Sequence, residues 1–224
     1  MSLYIVLAGT TGVGKSTLTQ KLAEKYQFHA FYEHLDDNPY LPEYYAGRGK
    51  EICFEMQVYF LGQRIAQQKE LERMVHHGTN VIHDRSIYED FHIFSQHQYN
   101  LGYISSRQFE NYRRLFFTVT DLLHPPDLII YLHASTERLL EQIKKRGREY
   151  EQEIDLVYLS QINELYEGWL QRLQSGPTTV PLLPVDVCQT DLHGADFELF
   201  CQQLEERLEK LKTQRHEIWR PALV

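Results

Sequence analysis

The stretch Gly9-Thr10-Thr11-Gly12-Val13-Gly14-Lys15-Ser16-Thr17 fits the pattern G-x-x-x-x-G-K-[ST]; it follows an apolar run at residues 3–8 and opens a segment with helical periodicity. A loop of this kind between a strand and a helix is built around phosphate. Its glycines let backbone N–H groups converge on phosphate oxygens, and the N-terminus of the next helix adds a favourable dipole. Lys15 supplies a mobile cation for the β- and γ-phosphates, and the Ser16 hydroxyl can ligate Mg²⁺, which usually keeps several waters. A nucleoside triphosphate with magnesium is implied. The dinucleotide pattern G-x-G-x-x-G fails, because Thr17 stands where its third glycine belongs.

Further apolar runs of strand length occur at residues 29–32, 80–83, 127–133 and 179–185. Between them lie segments of helical spacing, such as Leu18, Leu22, Ala23 and Tyr26, then Phe54, Val58, Leu61 and Ile65. Leu139, Leu140 and Ile143 continue the pattern, followed by a run from Leu159 to Leu173 and another from Phe197 to Leu211. This alternation predicts an α/β chain with a parallel sheet of about five strands and helices on both faces, where ligands gather at the carboxyl ends of strands. No repeat or linker breaks residues 1–224, so one domain is expected. The tail, residues 216–224, reads as a docked or frayed end.

Phosphoryl transfer needs a base, an oriented nucleophile and positive charge around the transferring group. Glu33 follows the second apolar run and Asp84 ends the third, so both can face the γ-phosphate as candidates for the base. Arg85 beside Asp84 can bridge base and phosphate. Lys144-Lys-Arg146-Gly-Arg148 reads either as a solvated helix end or, given the phosphate loop upstream, as a basic lid at about residues 144–153. Gln57 and Arg64 are seven apart on one helix and can point into one cleft. Gln57 suits a base edge, and Asp90 and Phe94 lie on the helix after Asp84, Phe94 offering a stacking face. Tyr32 and Tyr40 read as core.

Taken in order, these residues resemble the deoxynucleoside kinase family over nearly the whole chain. The matching stretches are Gly9 to Thr17, Glu33 with Asp36-Asp-Asn-Pro-Tyr-Leu41, Phe54 to Arg64, Asp84-Arg-Ser-Ile-Tyr-Glu-Asp90, and Arg146-Gly-Arg148 followed by Glu151. The resemblance implies transfer of the ATP γ-phosphate to a deoxyribose 5′-hydroxyl and a homodimer formed through helices. By position it makes Glu33 the base and lets Arg85 hold both that carboxylate and the phosphate. Tyr45 and Glu151 would hold the 3′-hydroxyl, Gln57 the base edge, with Arg64 and Asp90 completing the base pocket; Asp84 would assist Mg²⁺ through water. Retention of both Arg64 and Asp90 resembles members that accept deoxyadenosine, deoxyguanosine or deoxycytidine, and deoxyadenosine is the first expectation. Where relatives often carry a further lid arginine, four residues before Arg146, this chain has Gln142.

The formal charge of −8 lacks the basic balance of a nucleic-acid binder, and the run at residues 3–8 is too short to cross a membrane. Cys53, Cys188 and Cys201 have neither disulfide-framework nor zinc spacing, which points to a reducing cytoplasm. A nucleoside monophosphate kinase would share much of this pattern, but Glu33 would repel the phosphate of its acceptor. A GTP-dependent switch would need the guanine-reading Asn-Lys-x-Asp pattern, which the sequence lacks.

Overall fold

Every residue of Tyr4–Ala8 is buried, and this strand, β1, is the central member of a five-stranded sheet. The computed structural model describes residues 2–33, 38–148, 151, 153–175 and 181–214, without the side chains of Tyr45, Lys212 and Gln214. β2 (His29–Phe31), β3 (Val81–Asp84), β4 (Leu128–His133) and β5 (Leu182–Asp186) complete the sheet in the order β2-β3-β1-β4-β5, all pairings parallel. Parallel strands need crossovers, and helices supply them. They are α1 (Lys15–Tyr26), α2 (Leu41–Glu43), α3 (Gly49–His76), α4 (Ile87–Glu89), α5 (Gln96–Asn100), α6 (Ser106–Thr120), α7 (Thr136–Arg146), α8 (Leu156–Ser175) and α9 (Phe197–Gln214).

Alternate residues of the central strands serve opposite faces, as a strand period of two requires. Ile5, Leu7, Ile130 and Leu132 join Leu18 and Leu22 of α1, Leu139 and Ile143 of α7, and Phe200 and Leu204 of α9. Tyr4, Val6, Ile129 and Tyr131 face the other way, toward Leu61 of α3, Phe116 of α6 and Ile162, Tyr166 and Trp169 of α8. The five-stranded parallel sheet with helices on both faces is as expected. Leu7 pairs with Asp84 on one side and Ile130 on the other, which sets the loop after β1 beside the loop after β3.

Some expectations shift. β5 begins at Leu182, and the start of the run at 179–185 falls outside the described residues, as does the tail at 216–224. Pro184 is tolerated in β5 because that strand is at the sheet edge, where a missing N–H costs no ladder bond. Asp90 and Phe94 lie on a π-helical stretch, Asp90–Ser95, between α4 and α5. Tyr32 is 36% exposed rather than core, since the chain leaves the sheet after Phe31. Helix α6 carries its apolar face on Phe109, Tyr112 and Phe116, and Ser105 with Gln108 forms a capping box at its start. Among the described residues no helix is long and apolar enough to cross a membrane.

Candidate active site

The loop from Gly9 to Gly14 is pressed between β4 and α7. A Cβ at Gly9 (φ 145°) would lie 2.3 Å from the Leu132 carbonyl oxygen, and one at Gly12 (φ 89°) would lie 2.8 Å from Ile143 Cγ1. Packing therefore demands these glycines as much as phosphate access does. Gly14, in the left-handed region, precedes α1. Lys15 is buried, with Nζ donating to Gly9 O at 2.7 Å and Thr10 O at 3.2 Å. Burial, and then Arg85 nearby, lowers its pKa to about 8. Helix α8 supports the loop from behind: Thr10 Oγ1 donates to Asn163 at 2.5 Å, and the Tyr166 hydroxyl lies 2.9 Å from Gly9 O. Asn163 and Tyr166 are one turn apart on one face; the sequence reading placed Tyr166 only in the apolar run from Leu159 to Leu173 and did not name Asn163.

At the neighbouring strand end, Ser16 Oγ donates to Asp84 Oδ2 at 2.5 Å, while Asp84 Oδ1 is buried without a hydrogen-bond partner among the described residues. Arg85 adopts φ 69°, a left-handed conformation costly for a residue with a Cβ. Its guanidinium lies over the Phe94 ring at 4.4 Å. One oxygen of Glu33, Oε1, receives Arg64 at 2.7 Å and faces Arg85 at 3.5 Å, and Arg64 Nε also donates to Asp90 at 3.2 Å. Burial works against charge on Glu33, but Arg85, Arg64 and Lys15 outweigh it and hold the carboxyl below its usual value. For Asp90 burial prevails over Arg64, raising its pKa to about 6.

These groups converge on a cavity of about 380 Å³. Its wall includes Thr11, Gly12, Gly14, Lys15, Ser16 and Thr17 at one end and Gln57, Asp90 and Phe94 with Met56 and Phe60 at the other. Glu33, Asp84 and Arg85 stand between them, and Arg146, Arg148 and Glu151 also line the wall. Arg64 is not on the wall; it is 3% exposed and braces Glu33 and Asp90 from below. Gly9 and Thr10 also sit behind the surface. Gln57 Oε1 accepts from Ser95 Oγ at 3.0 Å, which orients the amide. The side chain of Tyr45 lies outside the described residues; Tyr44 lines the cavity, its hydroxyl accepting from Gln98 at 3.0 Å. Tyr44, Gln98 and Tyr158 are wall residues that the sequence reading missed.

The two arginines of the expected lid meet a buried carboxylate. Arg146 binds Glu151 through two nitrogens at 3.0 and 2.6 Å, and Arg148 lies 3.6 Å from it. Residues 149, 150 and 152 of the expected lid, and Asp36 and Asp37 earlier, lie outside the described residues. A second cavity of about 280 Å³ lies on the other side of the phosphate loop, sharing Gly12 and Gly14. Val13 faces this one, as do Arg138, Gln142, Thr190 and His193. Gln142 does not line the first cavity.

The family model for deoxynucleoside kinases matches residues 5–214. The chain belongs to the deoxynucleoside kinase family. This deoxynucleoside kinase is 36% identical over 190 residues to the deoxyadenosine/deoxycytidine kinase of Bacillus subtilis (strain 168), covering 84% of each chain. It is 34% identical over 206 residues to the deoxyguanosine kinase of the same organism, covering 91% of this chain and 96% of the relative. A deoxyadenosine kinase from M. mycoides, solved with the products dCMP and a flexible dCDP bound, superposes with a TM-score of 0.79 at 30% identity, over 91% of this chain and 100% of that one. The kinase thus phosphorylates a deoxynucleoside at the expense of a nucleotide phosphate donor.

Proposed function

We propose that this kinase is a deoxyadenosine-preferring enzyme of nucleotide salvage, with deoxycytidine and deoxyguanosine as slower substrates and Mg·ATP as donor. The observation that carries the reading is the meeting of Arg64 and Arg85 on one oxygen of Glu33, midway along a cavity that joins a phosphate loop to a polar pocket. In this assignment Glu33, held ionised, takes the proton of the 5′-hydroxyl as that oxygen bonds to the γ-phosphorus and the bond to the bridging oxygen breaks. Arg85 stabilises charge on the transferring group, with Lys15 and the loop N–H groups on the donor's phosphates. Arg146 and Arg148 add charge from the lid.

Gln57, Asp90 and Phe94 would receive the base, with Arg64 fixing Asp90. Glu151 and a neighbouring tyrosine would take the 3′-hydroxyl; the place of Tyr44 on the cavity wall favours it beside the expected Tyr45. The second cavity suits the donor's nucleoside, because the loop glycines Gly12 and Gly14 form part of both walls. Ser16 Oγ and Asp84 Oδ1, which has no hydrogen-bond partner among the described residues, are hard oxygen donors that fit Mg²⁺, an ion that takes few protein ligands and keeps its waters. When bound, the ion would neutralise phosphate oxygens of the donor.

A homodimer is part of the proposal, supported by exposed Leu115 on α6 and exposed Leu122 just beyond it; sedimentation at micromolar chain tests it. Action as one domain in the cytoplasm fits the free cysteines, two of them buried. The test of the substrate reading is kcat/KM with Mg·ATP for deoxyadenosine, deoxyguanosine, deoxycytidine and thymidine. Deoxyadenosine should lead and thymidine trail; a thymidine preference would overturn the base pocket.

A further inference from the structure

Glu89 is a buried carboxyl that the roles assigned above do not use. It is fully shielded from solvent on α4, and its Oε2 accepts the Ser86 backbone N–H at 2.7 Å and the Ser86 hydroxyl at 3.3 Å. Its Oε1 lies 2.7 Å from the hydroxyl of Tyr166, itself fully buried. That hydroxyl is also 2.9 Å from Gly9 O, the carbonyl on which Lys15 Nζ rests at 2.7 Å. One continuous chain of polar contacts therefore runs from the turn carrying Asp84 and Arg85, through α8, to the lysine of the phosphate loop.

A phenol has one proton to give. If Glu89 is ionised, both neighbours of the Tyr166 hydroxyl are pure acceptors, and one of the two short contacts sets lone pair against lone pair at a buried site. A proton on Glu89 Oε1 removes the conflict: Glu89 donates to Tyr166, and Tyr166 donates to Gly9. The charged groups facing Glu89 are Arg85 from its own turn and Lys15 from α1, with Arg64 and Asp90 also within its field. Burial outweighs the two nearer cations and pushes the Glu89 carboxyl up.

We propose that Glu89 is a positioning residue working as a neutral acid, which holds the Gly9 carbonyl and its lysine through Tyr166 and the Asp84–Arg85 turn through Ser86. The inference rests on the reading of Lys15 as the cation for the donor's phosphates. It makes two demands: the amide isostere must replace the acid, and loss of the Tyr166 hydroxyl must be felt on the donor side.

The test compares Glu89→Gln, Tyr166→Phe and Lys15→Met with the unaltered enzyme by kcat/KM for ATP and for deoxyadenosine across pH, with Tm as a check on folding. Glu89→Gln should stay within about threefold, with the alkaline limb of the ATP profile unmoved, and should delete a protonated-carboxyl stretch from the infrared difference spectrum. Tyr166→Phe should lower kcat/KM for ATP about tenfold or more while KM for deoxyadenosine changes little. The proposal is overturned if Glu89→Gln is as impaired as Tyr166→Phe, fails to fold, or moves the alkaline limb to lower pH, since the amide isostere of a neutral acid should do none of these. Full activity in Tyr166→Phe overturns it as well. Retained kcat/KM for ATP in Lys15→Met would instead defeat the donor-site reading, a result the other two variants do not produce.

Discussion

Ser16 Oγ and Asp84 Oδ2 stand 2.5 Å apart, so the residue that follows the phosphate-loop lysine and the residue that ends β3 share a hydrogen bond. This contact exists because β1 and β3 are parallel neighbours in register, with Leu7 opposite Asp84.

Asp84→Asn should keep that contact but lose an anionic oxygen at the proposed ion site. We expect the Mg²⁺ concentration for half-maximal activity to rise about tenfold or more, with Tm changed by only a few degrees. A titration of activity against Mg²⁺ at saturating ATP checks this; an unchanged midpoint removes Asp84 from the site.

In the proposed assignment Lys15 binds phosphate as a cation, and its pKa of about 8 places its titration within reach of a pH profile. Deprotonation removes the charge as pH rises, so kcat/KM for ATP should fall above about pH 8, by up to tenfold per unit. Lys15→Arg should abolish that limb, because a guanidinium stays charged, though at lower activity because its fork does not match the ammonium site. A profile flat to pH 10 would contradict the assignment.

Much of this arrangement could be read from the residues. The loop at Gly9 to Thr17, the placing of Glu33 just beyond β2 and of Asp84 at the end of β3, and the parallel sheet follow from local pattern, because a β-strand that feeds a helix aims its following loop at one edge of the sheet. What escaped depends on contacts between distant segments. Whether Arg64 lines the cavity or braces it from below is set by how α3 rolls against the π-helical stretch, not by its spacing from Gln57. The choice between Tyr44 and Tyr45 turns on the segment Tyr44–Arg48, where Gly47 (φ 86°) kinks the helical path and breaks helical counting. The capping pair Ser86 and Glu89 was open to sequence reading by its S-x-x-E spacing, but nothing local reveals that Tyr166 completes it.

Arg64 is pinned between two carboxylates, 2.7 Å from Glu33 and 3.2 Å from Asp90. Replacing only one member would strand a buried charge, so the informative change is the double variant Arg64→Met with Asp90→Ala. Its kcat/KM ratio should move toward thymidine by about tenfold or more relative to deoxyadenosine. If the preference for deoxyadenosine persists in competition assays, the base pocket lies elsewhere.

The two-nitrogen grip of Arg146 on Glu151 uses the planar fork of a guanidinium. Arg146→Lys keeps charge and loses the fork, and we expect kcat to fall about tenfold with a smaller change in KM for the nucleoside. Steady-state kinetics with both substrates separates the two; an unchanged kcat would leave Arg146 without a role in transfer.

The central claim is that Glu33, steadied by Arg64 and Arg85, takes the proton from the acceptor hydroxyl. Its most direct measurement is the single-turnover rate of Glu33→Gln with Mg·ATP and saturating deoxyadenosine, alongside the affinity for ATP. The account predicts ATP affinity within about threefold of the unaltered enzyme and a transfer rate lower by roughly 10²–10⁴. A transfer rate equal to that of the unaltered enzyme would contradict it.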